Sequence, residues 1–365
     1  MNKKAIIAMS GGVDSSVAAY LMLNQGYECA GATMQLYDKP QCSAAGSRAC
    51  CTPSDTEDAR HVAARLGMLY YVFPMQEEFR KNVIQKFTDT YFAGGTPNPC
   101  IDCNRFLKFD AFLQKAEELG AEYIATGHYA RIEQNPETGR YLLKKGLDPS
   151  KDQSYVLYSM NQRQLAHTIL PLGRYTKADI RRIAQEQGFV NAEKPESQDI
   201  CFVPDGDYAS FIEEYTGKHS QPGDFVDREG NVLGRHKGQI HYTVGQRRGL
   251  GISAPESLYV CGKSLEDNTV ILGRKQDLMS DHCFVSDINL IPWDHLPGPT
   301  ECKVKVRYRQ PEQPAVVEQV DEDLLKITFR EPQRAVTPGQ AAVLYDGDTV
   351  LGGGTILSEE TISAY

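Results

Sequence analysis

A glycine-rich loop between a short apolar run and a helical segment is the feature that most constrains how this chain can fold. Ala5–Met9 is uninterrupted apolar sequence, Ser10–Ser16 reads SGGVDSS, and Asp14–Asn24 has helical periodicity that stops at Gly26. In parallel α/β sheets, the backbone N–H groups of such a loop and the N-terminus of the helix bind anions at the carboxyl end of a strand. The sequence therefore predicts a phosphate-binding loop.

The loop does not match the common nucleotide-binding patterns. It lacks the lysine of the Walker pattern and the third glycine of the dinucleotide-binding pattern. The hydroxyl groups of Ser10, Ser15 and Ser16 offer further donors, whereas Asp14 would repel phosphate unless a cation lay between them. We therefore predict Mg²⁺ held jointly by Asp14 and phosphate. The alternative is a tight turn in which the aspartate caps the helix.

The pattern of apolar residues divides the chain into an α/β part and two β-rich parts. The N-terminal 205 residues alternate apolar runs with amphipathic segments, which predicts a doubly wound parallel sheet. The predicted strands are 5–9, 28–36, 69–73 and 123–125, and the predicted helices are 14–24, 52–66, 77–92 and 103–119. From about residue 218, short β-rich runs alternate with Gly, Pro and Asn/Asp turns. We predict three domains, 1–205, 206–280 and 281–365, the last two being small β-rich barrels or sheets.

Composition excludes several classes of protein. Thirty-nine basic and 48 acidic residues give a net charge of −9, which argues against a protein that coats nucleic acid through phosphate neutralisation alone. No apolar run reaches the roughly 18 residues of a membrane span, and Ala5–Met9 is too short for a signal peptide. We expect a cytoplasmic protein whose ten cysteines are buried residues, metal ligands or reactive thiols rather than a disulfide framework.

Two cysteine motifs predict a reactive thiol. PNPCIDCN (97–104) contains a C-x-x-C that ends where a helix is predicted to begin, so that Cys103 would lie at a helix N-terminus with two basic residues within a turn. The helix dipole and both cations lower the pKa of a thiol. A second motif, SQDICF (197–202), contributes Cys201. No role follows from the sequence for Cys42, Cys50 and Cys51.

Three other interpretations of the cysteines remain open. Zinc would need four ligands, and Cys50 and Cys51 or a histidine could complete a site with the C-x-x-C. A [4Fe–4S] cluster could bind Cys100, Cys103 and Cys201 and leave one iron open. Isolated cysteines are most commonly buried thiols, and this interpretation applies to Cys29, Cys261, Cys283 and Cys302.

Basic residues mark a candidate RNA surface. Lys303, Lys305, Arg307 and Arg309 alternate in CKVKVRYRQ, and in a strand they would share one face. That ladder alone is equally well explained by a solvated strand face. A second stretch without acidic residues, 235–248, favours a track for phosphate groups.

Together, the motifs SGGVDS, PNPCIDCN, ATGHYAR, KDQSY and SQDICF resemble those of the tRNA-specific 2-thiouridylase (MnmA) family, within the PP-loop ATP pyrophosphatases. The resemblance covers nearly the whole chain. It implies a Rossmann-like PP-loop domain, a small β-rich central domain and a C-terminal β-barrel that contacts tRNA. The implied activity is sulfur transfer, in which ATP adenylates the C2 oxygen of the wobble uridine and a cysteine persulfide replaces that oxygen, with release of AMP and pyrophosphate.

The resemblance also implies roles for individual residues. Cys103 is the nucleophile or resolving thiol and Cys201 carries the persulfide, so that a Cys103–Cys201 disulfide forms during turnover. The residues implied to bind ATP are Ala8, Met9, Ser10, Gly11, Gly12, Val13, Asp14, Ser15, Met34 and Gly127. Those implied to contact the target base are Asn98, Pro99 and Cys100, and those implied to contact tRNA are His128, Lys151, Asp152, Gln153, Arg307, Tyr308 and Gln340.

One position departs from the family pattern. Some members carry an aspartate, proposed as an acid/base group, where this chain has Cys100, and Asp102 is then a stand-in for that carboxylate. The implied partners are tRNA and a sulfur donor protein, either a cysteine desulfurase or a relay protein, and we expect a monomer.

Two other functions each account for part of the sequence. An amidotransferase-type ATP pyrophosphatase such as GMP synthetase would use the glycine loop but would leave the cysteine motifs and the basic ladder without purpose. A non-enzymatic RNA-binding module with a structural metal would use the basic residues and some cysteines but would leave the loop idle.

Overall fold

The computed structural model of the protein describes residues 3–37, 53–195, 200–203 and 205–362. The chain forms two compact units, which we describe separately. The first unit consists of Met1–Ile84, Pro99–Gly206 and Gly347–Leu351, and the second unit consists of Gln85–Asn98, Asp207–Asp346 and Gly352–Tyr365. No helix within the described ranges is both long and apolar enough to cross a membrane.

Strands and helices are numbered in chain order. The strands are β1 (Lys4–Ala8), β2 (Glu28–Gln35), β3 (Leu69–Pro74), β4 (Tyr123–Ala125), β5 (Ala130–Gln134), β6 (Tyr141–Lys145), β7 (Thr168–Ile169), β8 (Gly223–Val226), β9 (Val232–His236), β10 (Tyr259–Ser264), β11 (Thr269–Gly273), β12 (Met279–Leu290), β13 (Thr300–Lys305), β14 (Gln313–Asp321), β15 (Leu324–Arg334), β16 (Ala341–Asp346) and β17 (Thr349–Ile356). The α-helices are α1 (Val13–Asn24), α2 (Pro53–Arg65), α3 (Gln76–Phe79), α4 (Gln85–Phe92), α5 (Pro99–Asp102), α6 (Phe112–Glu118), α7 (Gln162–Ala166), α8 (Lys177–Glu186), α9 (Tyr208–Thr216) and α10 (Glu359–Ile362).

A five-stranded parallel sheet in the order β3-β2-β1-β4-β7 forms the centre of the first unit. The central strand β1 is apolar because helices cover it, and one buried cluster joins it to α1, α2 and α8. That cluster includes Ala5, Ile7, Val17, Met22, Ala59, Val62, Ile180 and Ala184. The predicted parallel α/β sheet is confirmed.

The segment around Cys103 differs from its prediction. A helical turn, α5, already begins at Pro99, and Cys103–Ala111 continues as a π-helix before α6. Proline is well tolerated at the first helical position because the N–H that it lacks would not be bonded there. The prediction that the helix begins at Cys103 is therefore wrong, and this residue lies one turn inside the helix rather than at its N-terminus.

The second unit contains the predicted β-rich regions. One mixed sheet has the order β10-β11-β8-β9, and β12-β15-β14-β13-β16-β17 form an antiparallel barrel that pairing of β12 with β17 closes. His236, which the sequence placed in a phosphate track, packs against Phe225 and is 2% exposed. Its ring nitrogens contact the N–H of Gly238 and the carbonyl oxygen of Asn268. This histidine is therefore a core residue and not part of an RNA surface.

The predicted ladder of basic residues is also interrupted. Strand β13 ends at Lys305, and Arg307 and Arg309 lie in the turn that follows it. The Arg307 guanidinium donates hydrogen bonds to the carbonyl oxygen of Val244 and to the hydroxyl group of Thr337. The prediction that the basic side chains share one strand face is wrong, because the strand is shorter than its alternating pattern.

Candidate active site

The glycine loop connects β1 to α1 and is held in shape by its own side chains. Gly11 has a φ of +74°, and a Cβ placed there would overlap the backbone of Asp55 at the start of α2. The hydroxyl groups of Ser15 and Ser16 donate hydrogen bonds of 3.0 and 3.1 Å to the carbonyl oxygen of Gly12. These two hydroxyls, which the sequence assigned to phosphate, stabilise the turn in the structure.

Two residues that follow α8 in the sequence stabilise the glycine loop and the start of α2 through hydrogen bonds and ion pairs. The Asn191 amide donates to the carbonyl oxygen of Gly11 at 2.9 Å. The Lys194 ammonium binds the carboxylates of Asp55 and Asp58, each at 2.6 Å. Burial disfavours the charged ammonium, but these carboxylates outweigh burial and raise the pKa of Lys194 above its usual range. Neither residue was among the predicted site residues, because nothing in their local pattern indicates a partner more than a hundred residues away.

The residues expected to bind ATP lie at one edge of the sheet in the first unit. Ala8 ends β1, Met34 is next to last in β2, and Gly127 follows the end of β4. These three strands are parallel neighbours, so their carboxyl ends meet at the edge where ligands of α/β sheets bind. A Cβ on Gly127 would lie 2.9 Å from the carbonyl carbon of Asp14, so only glycine fits beside the loop.

The carboxylate of Asp14 is paired with a lysine that the sequence analysis did not identify. The Lys177 ammonium lies 2.8 Å from both carboxylate oxygens, and the Tyr129 hydroxyl donates to Oδ1 at 2.6 Å. A magnesium ion bound directly to this carboxylate would face the ammonium at close range. As arranged, Asp14 fits an ammonium and does not fit the metal that we predicted. It does not cap the helix either, because Gly12 is the N-cap and no side chain bonds there.

The two thiols of the cysteine motifs both belong to the first unit. The structure shows no disulfide at Cys103 or Cys201, both of which are half-buried, and Cys100 is exposed. Among the described residues, no three cysteine, histidine or acidic side chains are grouped so that they could hold a metal ion. The arrangement therefore does not fit the [4Fe–4S] cluster that the cysteine spacing left open. The other candidate zinc ligands, Cys50 and Cys51, lie outside the described residues, as does Cys42.

The Cys201 thiol lies beside the carboxyl end of β2. The Tyr37 hydroxyl, two residues beyond that strand, donates a hydrogen bond to the sulfur at 3.8 Å. The Tyr37 ring meets Phe79 edge-on at 5.6 Å between centroids, and Phe79 meets Phe202 edge-on at 5.7 Å. These aromatic contacts fix the Cys201 segment at the sheet edge that carries the glycine loop. Nothing in the sequence around Tyr37 indicates this contact, because its partner is 164 residues away.

Of the remaining described cysteines, which the sequence analysis interpreted as buried thiols, Cys283 is buried and Cys29, Cys261 and Cys302 are half-buried. Burial raises the pKa of Cys29 and Cys261 to about 11 and that of Cys283 and Cys302 to about 12. These thiols therefore stay protonated at neutral pH.

Several residues expected to contact tRNA also hold loops of the first unit. The Gln153 side chain accepts a hydrogen bond from the backbone N–H of Tyr129 at 2.9 Å. Asp152 accepts one from the N–H of Gly146 at 3.0 Å, and Lys151 is half-buried beside it. Pro99 is buried as the first residue of α5, and Asp102, the stand-in for the missing acid, is buried at the end of that turn.

In the second unit, Gln340 donates to the carbonyl oxygen of Thr96 at 2.7 Å. That contact anchors the segment that ends in Asn98. Tyr308 is 39% exposed. Among the residues expected to contact tRNA, Tyr308 offers the most accessible side chain for stacking on a base.

His128 is an interior residue that stays neutral. Its Nδ1 lies 2.7 Å from the hydroxyl oxygen of Thr126, and its ring packs on Phe109 at 5.7 Å between centroids. Burial, assisted by the positive charge of Lys108, holds the pKa of His128 well below its usual range. Any contact of this side chain with RNA is therefore that of an uncharged imidazole.

Acid should destabilise the protein through His128. The pKa of this group is lower in the folded protein than in the unfolded chain. Its contribution to stability is therefore complete above pH 6.5. That contribution is lost as the pH falls, because the unfolded chain binds a proton that the folded protein excludes. Between pH 6.5 and 5, we expect the free energy of unfolding of the wild-type protein to fall by up to about 1.4 kcal/mol per pH unit more than that of His128→Asn. Thermal unfolding of both proteins across this range measures the difference. Parallel curves would contradict a neutral His128.

Models of known families match most of the chain. Residues 3–205 match the tRNA methyl transferase HUP domain. Residues 209–274 match the tRNA methyl transferase PRC-barrel domain, and residues 280–356 match the aminomethyltransferase beta-barrel domain.

Similar proteins are known over the full length. The chain is 50% identical over 356 residues to the tRNA-specific 2-thiouridylase MnmA of Carboxydothermus hydrogenoformans, covering 97% of each chain. It is 49% identical over 357 residues to the protein of that name from Clostridioides difficile, covering 98% of each. Among solved structures, a 4-thiouridine synthetase–RNA complex with bound ATP overlaps 59% of this chain and 50% of its own, with 19% identity and a TM-score of 0.34. NMN synthetase from Francisella tularensis overlaps 60% of this chain and 79% of its own, with 15% identity and a TM-score of 0.33.

Proposed function

Because this chain belongs to the tRNA-specific 2-thiouridylase family, it is a sulfurtransferase, and we propose that it carries out the ATP-dependent 2-thiolation of the wobble uridine of tRNA. One observation carries the proposal. The Cys201 thiol lies at the carboxyl end of β2, and the glycine loop follows the carboxyl end of the adjacent parallel strand β1. A sulfur carrier and a nucleotide site at one sheet edge are what replacement of an activated oxygen by sulfur requires.

In the first step, the nucleotide activates the base. The C2 oxygen of uridine attacks the α-phosphorus of ATP, pyrophosphate leaves, and the base carries AMP through that oxygen. The loop Ala8–Ser15 and the N-terminus of α1 bind the phosphates, while Met34 and Gly127 border the rest of the nucleotide. Adenylation is needed because a carbonyl oxygen is a poor leaving group, whereas AMP is a good one.

In the second step, sulfur replaces the activated oxygen. A sulfur donor protein, a cysteine desulfurase or a relay protein, leaves a persulfide on Cys201. Its outer sulfur attacks C2, and the C–O bond breaks as AMP departs. The Cys103 thiolate then attacks the inner sulfur, the S–S bond breaks, and the transferred sulfur stays on the base. The two cysteines are left as a disulfide, which a thiol reductant returns to two thiols with two electrons. In the alternative order, Cys103 first releases sulfide, which attacks C2.

We propose that tRNA contacts both units. Asn98, Pro99 and Cys100 meet the target base, with the uridine flipped out of the anticodon stack to reach them. The proposed tRNA contacts are His128, Lys151, Asp152, Gln153, Arg307, Tyr308 and Gln340. Several of these hold loops in the free protein, so recognition through them is by the shape of the RNA. The proposed domains are 1–205, 206–280 and 281–365.

The proposed function predicts a defined set of products. With ATP, a persulfide donor and a tRNA that has uridine at the wobble position, the protein should form one AMP and one pyrophosphate per 2-thiouridine. Chromatography of the nucleotides and mass spectrometry of the digested tRNA measure both. The matched control is the same tRNA with cytidine at that position, which should give neither product. Release of ADP, or AMP formation that ignores the tRNA, would contradict the proposal.

Removing the Tyr37 hydroxyl should slow the sulfur step alone. In Tyr37→Phe, the ring still packs on Phe79, but the hydrogen bond from the Tyr37 hydroxyl to Cys201 is lost. We expect thiolation at saturating tRNA and ATP to fall about fivefold, with both KM values unchanged, because one hydrogen bond to sulfur is lost. Tyr71→Phe on β3 is the control and should keep the wild-type rate. A change in KM with an unchanged maximal rate would show that Tyr37 acts on binding instead.

A further inference from the structure

The ammonium group of Lys177 lies beside the glycine loop, in contact with the carboxylate of Asp14. Lys177 lies 2.8 Å from each oxygen of Asp14, and its side chain is only 11% exposed. The Tyr129 hydroxyl donates to the same carboxylate, and the Lys177 ammonium lies 5.7 Å from the centre of the Tyr129 ring. The Asp14 side chain is 30% exposed, so the pair is partly buried and oriented, unlike a surface salt bridge between two mobile side chains.

The backbone holds this lysine in place. Lys177 is the first residue of α8, whose N-cap, Thr176, exchanges hydrogen bonds with Asp179 in a capping box. The Lys177 backbone N–H donates to the Asp148 carboxylate at 3.1 Å. The first turns of α1 and α8 meet at this ion pair, so the partial positive charges of two helix N-termini add to the ammonium.

Charge at the loop decides whether phosphate can bind there. Asp14 lies in the first turn of α1, where an uncompensated carboxylate would repel the phosphates that the loop is shaped to hold. The Lys177 ammonium cancels that charge without a metal ion. A lysine ammonium has three N–H donors, so it can bind a carboxylate and a phosphate oxygen together.

We propose that Lys177 is the resident cation of the nucleotide loop, which neutralises Asp14 and binds a phosphate oxygen of ATP in the place that the sequence analysis assigned to magnesium. Asp14 then positions the lysine and is not a metal ligand. Magnesium that accompanies ATP is held by phosphate oxygens alone. The inference rests on the proposed function only in taking ATP as the ligand of the loop.

ATP binding to the full-length protein tests the inference without tRNA or a sulfur donor. In calorimetric titrations, Lys177→Met should bind ATP at least about tenfold more weakly than wild type, because a charged hydrogen bond is lost and Asp14 is left uncompensated. The double variant Asp14→Asn/Lys177→Met should regain part of that affinity, since the repulsive carboxylate has also gone. Arg181→Met, an exposed cation on the same helix, should bind like wild type.

Two results would overturn the inference. One is wild-type ATP affinity in Lys177→Met, and the other is a double variant that binds no better than Lys177→Met, as expected if Asp14 were a magnesium ligand. Should Lys177→Met fail to fold, the double variant, which leaves no unpaired charge, is compared with Asp14→Asn. The inference then requires the double variant to bind at least about tenfold more weakly. Failure of wild type to bind ATP would instead refute the proposed function.

Discussion

Cys201→Ser should abolish 2-thiouridine formation while adenylation of the tRNA continues. A serine hydroxyl cannot carry a sulfane sulfur, so the activated base has no sulfur nucleophile, whereas the glycine loop is untouched. We expect thiolation to fall by at least about a thousandfold, as for removal of a covalent nucleophile. With ATP labelled at the α-phosphorus, the adenylated tRNA should accumulate and then hydrolyse slowly to AMP. Acid quenching followed by electrophoresis of the tRNA measures it.

The matched control for that experiment is Cys29→Ala. Cys29 is half-buried like Cys201, but burial raises the pKa of its thiol to about 11, and it belongs to neither cysteine motif. Its loss should leave both the adenylate level and the thiolation rate at wild-type values. Thiolation by Cys201→Ser at the wild-type rate would refute the persulfide assignment.

Gly11→Ala should have the largest effect on stability and should also remove ATP binding. The residue has a φ of +74°, and an added Cβ would overlap the backbone of Asp55 at the start of α2. Both the strained backbone and the displaced helix oppose folding, so we expect a loss of about 3 kcal/mol or more. Thermal unfolding and calorimetric titration with ATP measure the two effects.

The neighbouring glycine provides the comparison. Gly12 has a φ of −89°, and a Cβ there would meet the hydroxyl oxygen of Ser10 at 3.5 Å, an ordinary contact. Gly12→Ala should therefore lower the free energy of unfolding by about 1 kcal/mol or less, which is the difference between glycine and alanine at a helix N-cap. Equal destabilisation by the two substitutions would mean that the contact between the loop and α2 does not determine the loop geometry.

The features that the sequence predicted well are those encoded by local patterns. Buried parallel strands are continuous apolar runs, so Ala5–Met9 and Tyr123–Ala125 were identified nearly as the structure has them. The glycine loop was placed correctly because a strand, two glycines and a helix follow one another directly. The change from helical periodicity to short β-rich runs between turn residues likewise indicated where the strands of the second unit lie.

The errors arose at the ends of a helix and of a strand, where a second effect outweighed the local preference used for the prediction. The helix of the cysteine motif was predicted to begin at Cys103, but Pro99 occupies a first helical position and begins it. Arg307 continues the alternation of β13, yet its hydrogen bonds to Val244 and Thr337 hold it in a turn. The contacts that decide the position of Arg307 are invisible in a window of neighbouring residues.

The partners of the site residues could not be predicted from the sequence. Lys177 and Asp14 are 163 residues apart, and Tyr37 and Cys201 are 164 apart. Each partner is an ordinary residue of its own segment, and only the fold brings the pairs together. The predicted magnesium at Asp14 was reasonable for an isolated carboxylate beside phosphate, and the lysine removes the reason for it.

The origin of the oxygen atom in AMP tests the central claim most directly. A tRNA with ¹⁸O at C2 of the wobble uridine is incubated with the protein, ATP and a persulfide donor, and mass spectrometry measures the AMP released. If adenylation of the base precedes sulfur transfer, each AMP should carry one ¹⁸O in its phosphate for each 2-thiouridine formed. Formation of 2-thiouridine with unlabelled AMP, and with the label in water, would contradict this account.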